Sequence, residues 1–232
     1  GDILEVNSPT ITPHEVLLAS GHVTEFEDYL SQCSECNSSF RSDHLLPEEV
    51  FFEDMTAADI DDAITAHQIK CPICNCSKWL PLSKMNLMFS VSVGPGNNTR
   101  KAYLRPETAQ GMFTMFPHLY RYRRQQMPFG AMQIGTGYRN EISPRQGMIR
   151  LREFSMAELE YFFDPETTSG NYFDKVGPSV AIIGVDGTYE STVLDAFREG
   201  IIDSPIMAEF LNETLILLDS LGINLDKTRI RQ

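Results

Sequence analysis

Residues 138–154, YRNEISPRQGMIRLREF, gather four arginines and two glutamates around one proline and one glycine, with an aromatic residue at each end. Guanidinium groups bind polyphosphates through bidentate, charge-assisted hydrogen bonds; an aromatic ring stacks on a base, and a carboxylate accepts from an exocyclic amine. The segment reads as the second half of a long antiparallel hairpin that starts at FGAMQIGTG and turns over Pro144 to Gly147. Alternation over IRLREF sets Ile149 and Leu151 opposite Arg150 and Arg152, so Arg150, Arg152 and Phe154 share a face and meet Arg139 and Glu141 on the partner strand. A face that is cationic, acidic and aromatic at once suits a nucleoside triphosphate; the bland alternative is a surface hairpin laced with Arg and Glu pairs. Neither the G-x-x-x-x-G-K-[ST] loop nor G-x-G-x-x-G occurs, which argues against the two common nucleotide folds.

A second chemistry lies in CSEC and CPIC, which hold four of the five cysteines. Cys33, Cys36, Cys71 and Cys74 have the paired spacing in which each C-x-x-C bends back to present two thiolates, and four thiolates satisfy tetrahedral zinc. The 34 residues between the pairs exceed the usual finger spacing, and Cys76 of CPICNC is an alternative to Cys74. His44 and His67 fall inside this span without ligand spacing to a partner.

The elements that must position these groups are partly legible. A chain of 232 residues that is 42% hydrophobic builds one sizeable core, or one core with a small module. It has no long apolar run and no basic, apolar amino terminus, so a membrane span and a signal peptide are not expected, and paired cysteines as metal ligands fit a cytoplasmic setting. The net charge of −13 opposes broad attraction to phosphates, yet YRYRRQQ and the arginine-rich hairpin are cationic islands. TPHEVLLASGH predicts a short helix with Thr12 as N-cap, Pro13 at the first helical position and Gly21 as the stop. TAADIDDAITAHQI predicts a helix opened by a Thr56/Asp59 capping box. NLMFSVSV reads as a buried strand, GPGNNTR as a turn, and Thr108 to Gln126 as a helix with Met112, Phe113, Phe116 and Leu119 on one face. Beyond Asp164 come a linker, a strand at VAIIGV and two helical patterns near 190–200 and 204–221.

Tyr138, Arg139, Glu141, Arg150 and Phe154 resemble motif 2 of class II aminoacyl-tRNA synthetases: an aromatic, Arg, any residue, Glu, a loop, then Arg, three residues and Phe. SGHVTEFEDY, FRSDHLL, NLMFSVSVGP, YLRPETAQGMF and the hairpin resemble glycyl-tRNA synthetases of the archaeal and eukaryotic dimeric type, over most of residues 18–165 and more loosely to the end of the chain. The resemblance implies an α+β fold, an antiparallel sheet flanked by helices with a small zinc-binding insertion. In its terms residues 1–29 open the catalytic domain, 30–84 are the insertion, and 85–232 are the core with motif 2.

It further implies ATP-dependent activation of glycine and transfer to tRNA(Gly), with ATP and Mg2+ at the site, structural Zn2+, and a homodimer at full length. Arg139 is expected on the α-phosphate and the glycine carboxylate, Glu141 on the adenine amino group, Arg150 on the γ-phosphate and Phe154 on the purine. Asn140 and Ile149 complete the ATP site, and Phe154 also borders the glycine. Glu107 and Glu158 are expected on the glycine ammonium group and Arg41 at a substrate contact. Motif 1, motif 3 and the anticodon-binding domain are not in the sequence, so the isolated segment is expected to be inactive. The rival readings are a non-catalytic paralogue that binds nucleotide or tRNA, and a zinc-organised interaction module.

Overall fold

The computed structural model describes residues 2–47, 49–52, 55–142, 144, 147–165, 174–184 and 187–231. The chain forms two compact units, residues 1–164 and 165–232. The first contains β1 (Ile3–Glu5), β2 (Ile11–Pro13), α1 (His14–Ala19), α2 (His22–Glu25), β3 (Glu27–Gln32), β4 (Ser39–Arg41), α3 (Ala57–Ala66), β5 (Ser83–Asn86), β6 (Ser90–Val93), β7 (Arg100–Leu104), α4 (Ala109–Tyr122), β8 (Phe129–Tyr138) and β9 (Glu153–Phe162). Its strands form three sheets ordered β1-β8-β9, β2-β7-β6 and β4-β3-β5. The predicted α+β class holds. The sheet that carries the hairpin is mixed, because β1 lies parallel to β8 while β9 pairs antiparallel, Tyr138 opposite Glu153 and Phe129 opposite Phe162.

One face of β8–β9 is covered by α4. Met112 and Leu119 of the helix are buried against Phe129 and Ala131, with the Phe116 ring tilted against Phe162 at 4.8 Å between ring centroids. Each fully buried large side chain contributes about 1.5–3 kcal/mol through area removed from water, and aromatic pairs add about 0.5–1.5 kcal/mol. Phe113, expected on the buried stripe, is 48% exposed, because the stripe runs through Met112, Phe116 and Leu119 and leaves Phe113 at its edge. At the helix N-terminus a buried polar network replaces the aromatics. Gln133 Oε1 accepts from the amide and hydroxyl of Ser8, and Arg105, 6% exposed, donates to the carbonyls of Ser8 and Thr136, each at 2.8 Å.

The cysteine module builds its own small core. Ile60 and Ile64 of α3 pack with Leu46 and Met55, and Trp79, Ile69 and Leu82 close over them. The Thr56/Asp59 capping box forms as the sequence indicates, with each side chain meeting the other's backbone amide.

Three local expectations differ from the structure. Thr12 is not an N-cap: Ile11–Pro13 pair with β7, Thr12 opposite Tyr103, and Pro13 itself takes the cap position before α1. Gly21 ends that turn with φ of 81°, as expected of a glycine stop. NLMFSVSV is two strands. Asn86 accepts from the Met88 amide and donates to the carbonyls of His22 and Val23, bending the chain out of the β3 sheet and into the β7 sheet. IRLREF is mostly turn: β9 begins only at Glu153, and Met148 and Ile149 are each 88% exposed.

The second unit contains β10 (Val180–Gly184), β11 (Gly187–Ser191), α5 (Val193–Arg198), α6 (Pro205–Ser220) and β12 (Arg229–Arg231), with sheet order β11-β10-β12. Val180 and Ile182 pack on Val193, Ala196, Ala208 and Leu215. Thr192 and Ser204 cap the two helices by accepting from the amides of Asp195 and Met207. Buried Asn212 holds the stretch before β10, accepting from Gly177 N and donating to Lys175 O.

Gly111, in the first turn of α4, lies where an added Cβ meets the Ser8 hydroxyl inside van der Waals contact. Gly111→Ala is therefore expected to destabilise the chain by about 1–3 kcal/mol through overpacking, read as a fall of several degrees in melting temperature. An unchanged melting curve would show that Ser8 moves aside without cost.

Candidate active site and cysteine cluster

Where β8 ends, the backbone turns away from its partner strand. The Tyr138 amide donates to Arg105 O, Arg139 to Arg152 O, Asn140 to Leu87 O and Glu141 to Arg139 O, at 2.7–3.0 Å. Of four successive amides, one makes a last ladder rung to Arg152, two reach other segments and the fourth turns back on Arg139, so the backbone is satisfied while the ladder ends. This is why residues 148–151 have no strand to pair with. Arg150 and Ile149 consequently lie in the turn ahead of β9, not on the sheet face where the alternation placed Arg150 beside Phe154.

Arg139 is held between two rings, its guanidinium carbon 5.3 Å from the centroid of Phe154 and 5.5 Å from that of Phe26. Guanidinium–aromatic contacts of this kind are worth about 0.5–2 kcal/mol and fix the plane of the donor fork. Gly137, directly opposite Phe154, permits the arrangement: a Cβ there falls 3.0 Å from the Phe154 ring and 2.8 Å from Met156 Sδ. No spacing in the sequence pointed to Phe26; its contact is set by the packing of two separate sheets. The Glu141 carboxylate has a buried Oε2 with no hydrogen-bond partner, and Arg152 donates to its main-chain carbonyl at 3.1 Å.

Farther along the same face of β9 stand Glu158 and Glu160, four and six residues from Phe154, about 13 and 20 Å at the strand rise. Glu158 accepts from both the amide and the hydroxyl of Thr108, the residue just before α4. It therefore anchors the PETAQG segment, and that segment carries Glu107, whose Oε1 lies 2.7 Å from Gln110 Nε2 and 3.4 Å from His22 Nε2. Glu107 precedes the helix and is not in its first turn. Burial, and then the neighbouring charges of Glu158 and Glu107, raise the Glu160 carboxyl above the usual carboxylate range. Three carboxylates gathered this way favour an incoming ammonium group. Glu160 was missed in the sequence, although its spacing of two from Glu158 put both on one face.

Arg41 sits elsewhere in the arrangement. On β4, it makes a two-point contact with Asp43, at 3.0 and 2.7 Å, and an ion pair with Asp28 at 3.1 Å.

Cys33, Cys36, Cys71 and Cys74 converge, with all four sulfurs within 4.8 Å of one another and the closest pairs, Cys33–Cys74 and Cys36–Cys71, at 3.5 and 3.6 Å. Both pairs sit on the same turn. The first cysteine's amide donates to the carbonyl five residues on (Ser38, Cys76), and the following asparagine, Asn37 or Asn75, takes positive φ and donates back to the first cysteine's carbonyl. The repeated C-x-x-C-N is the sequence signal for this, since asparagine tolerates the left-handed region. Cys76 lies outside the cluster, its sulfur accepting from the Lys78 amide. Hydrogen bonds from the Ser38 side chain and amide pull the Cys36 thiol down to about 6. The Cys76 amide draws Cys74 down too, but burial and the sulfurs of Cys33, Cys36 and Cys71 outweigh it and push Cys74 up to about 12. The pattern is that of a group which needs a cation before all four sulfurs can be anionic.

The clamped arginine and the carboxylates lie within a stretch, residues 89–179, that matches the family model described as "tRNA synthetase class II core domain (G, H, P, S and T)". Across 98% of its length the chain is, more particularly, a homologue of the glycine–tRNA ligases. It is 44% identical to the glycine–tRNA ligase of Methanocaldococcus jannaschii over 242 aligned residues, and 42% identical to those of Thermococcus sibiricus and Archaeoglobus fulgidus. The chain spans 40–42% of the length of these relatives.

Alkylation of the metal-free chain at neutral pH should modify Cys36 before Cys74, because the thiolate is the nucleophile and the lower-titrating thiol is the more ionised one. Cys74 should gain reactivity only as the pH rises toward strongly alkaline values. Peptide mapping that finds the two labelled at equal rates would contradict the asymmetry.

Proposed function

We propose that this chain carries one side of the adenylation site of a glycine–tRNA ligase, which activates glycine with ATP and transfers it to tRNA(Gly). The observation that carries the reading is Arg139, fixed between Phe26 and Phe154 at one end of a sheet face whose other end bears Glu158 and Glu160, with Glu107 of the adjoining loop beside them. An oriented cation at one end and clustered anions at the other suit a molecule with a phosphate and an ammonium group.

In this reading Arg139 neutralises charge on the α-phosphate and the attacking carboxylate, where it concentrates as the phosphorus–oxygen bond forms. Phe154 stacks on the purine, and Asn140 and Glu141 line the base, with the unpartnered Glu141 Oε2 accepting from the adenine amino group. Arg150 and Ile149, in the turn before β9, close over the triphosphate from outside the sheet. Glu107 binds the glycine ammonium group, and Glu158, engaged by Thr108, contributes mainly by holding Glu107 in place. The protein's contribution is placement and preorganised charge, with no acid or base step asked of a side chain. Magnesium is proposed as the counter-ion of the triphosphate, with no ligand in this chain assigned to it.

The four thiolates are proposed as a structural zinc site. Zinc–sulfur bonds of about 2.3 Å in a tetrahedron set sulfurs about 3.8 Å apart, which the 3.5 and 3.6 Å pairs approach. Bound zinc supplies folding free energy to the module and no chemistry. A homodimer at full length and a cytoplasmic setting complete the proposal, and among the described residues no helix is long and apolar enough to cross a membrane.

The test is glycine-dependent exchange of pyrophosphate into ATP by the full-length enzyme. Arg139→Ala should lower the rate by about 10²–10³-fold, as expected for removing a donor aimed at developing charge. Near-normal exchange would remove Arg139 from the reacting centre. Glu107→Gln should weaken glycine by about 1.5–3 kcal/mol, the worth of a charged hydrogen bond, with ATP affinity unchanged; equal loss of both substrates would make Glu107 structural. Elemental analysis should find about one zinc per freshly purified chain, and its absence would refute the metal site.

A further inference from the structure

Glu107 is reached from two sides. Gln110, in the first turn of α4 and 7% exposed, donates from Nε2 to Glu107 Oε1 at 2.7 Å. From α2 the imidazole of His22 brings its Nε2 to 3.4 Å from the same oxygen, with the side chain only 14% exposed. Oε2 of Glu107 has no partner among the described residues. His22 is itself held. Ser20 Oγ lies 2.9 Å from its Nδ1 and 3.3 Å from Leu17 O, so the hydroxyl donates to a neutral ring, or accepts from a charged one while donating to Leu17. Both arrangements leave the proton on Nε2, facing Glu107. Asn86 Nδ2 donates to the His22 carbonyl at 3.0 Å, and the ring packs on Phe26 at 5.3 Å between centroids. Phe26 is one of the two rings that hold Arg139.

We infer that His22 is a positioning residue for the glycine site: with Gln110 it engages Glu107 Oε1, and so leaves Oε2 as the oxygen that meets the ammonium group. The inference rests on the reading of Glu107 as the ammonium ligand. A glutamate side chain loses rotamer freedom when it is fixed, and Glu158 and Glu160 are like charges close by; two donors on one oxygen oppose both effects. Neither donor is a lysine or an arginine, and among the described residues none of those ion-pairs with Glu107, Glu158 or Glu160. A permanent cation would neutralise the carboxylate and compete with the ammonium group of the substrate. An amide and an imidazole orient the carboxylate and leave its charge for the ligand. The same ring that meets Glu107 also backs Phe26, so one side chain touches the supports of both ends of the site.

Glycine-dependent pyrophosphate exchange by the full-length enzyme, with Michaelis constants measured for each substrate, tests this. His22→Phe keeps a ring on Phe26 and removes the Nε2 donor. It should raise the Michaelis constant for glycine about tenfold, the worth of one charged hydrogen bond, and leave that for ATP unchanged. His22→Gln, which restores an N–H, should recover most of the loss. In a Glu107→Gln background His22→Phe should cost little more, because the group it orients no longer carries the charge. Equal rises for glycine and ATP would make His22 a support for Phe26 alone; an unchanged glycine constant would show that Gln110 suffices; additive losses in the double variant would place its action elsewhere. Each of these would overturn the inference and leave Glu107 as the ammonium ligand. Glycine affinity indifferent to Glu107→Gln would remove the reading of Glu107, and the role of His22 with it.

Discussion

After a last rung from Arg139 to Arg152 the main chain leaves the β8–β9 ladder, and every part of the candidate site depends on where the amides around this point go. They are accepted by Arg105 after β7, Arg152 before β9, Leu87 after β5, and Arg139 itself. Backbone groups that quit a sheet must be paired again or carry a desolvation cost of about 1–3 kcal/mol each. Here the re-pairing draws three elements to one point, and the same bend that orients Arg139 and Glu141 denies residues 148–151 a partner strand.

Around that point rigidity comes from close approach more than from bulk. Gly137 lets the Phe154 ring lie across β8, and Gly111 lets Ser8 reach the first turn of α4. Buried Arg105 and Gln133 tie the Ser8 segment to β8. Glu158 reaches from β9 to the amide and hydroxyl of Thr108, so the carboxylate-bearing loop and the aromatic end of the sheet are fixed to one another through β9. Such fully placed polar groups stabilise little individually, yet each restricts the alternatives available to its neighbours.

The cysteine module bears on the site through its sheet and not through its sulfurs. β3 runs directly from Asp28 into Cys33, and β4 returns from the first cysteine pair to Arg41. Arg41 of that sheet pairs with Asp28 and Asp43, and the Asn140 amide donates to Leu87 just after β5, so the geometry of that sheet and the placement of residues 139–141 are linked.

The sequence alone was enough for chemistry that depends on residue type and short spacing. The C-x-x-C pairs, the Thr56/Asp59 capping box, the helix through Met112 and Leu119 and the motif around Arg139 are local patterns, and local patterns carry their own geometry. The four cysteines meet as the spacing indicated, and Cys76 stays out. What the pattern misplaced were contacts set by distant segments. Alternation over IRLREF is sound strand logic, but a strand needs a partner, and the Glu141 amide that would have made the next rung turns back to Arg139 O. Thr12 has the chemistry of a cap, but β7 claims it for a sheet. Arg41 and Glu158, both expected at the substrate from their charge, have partners in this chain that their spacing did not indicate, Asp28 and Asp43 for the one and Thr108 for the other. Tertiary structure decided these because a hydrogen bond or ion pair is filled by whichever partner the fold brings within reach, and the sequence does not order those partners by distance.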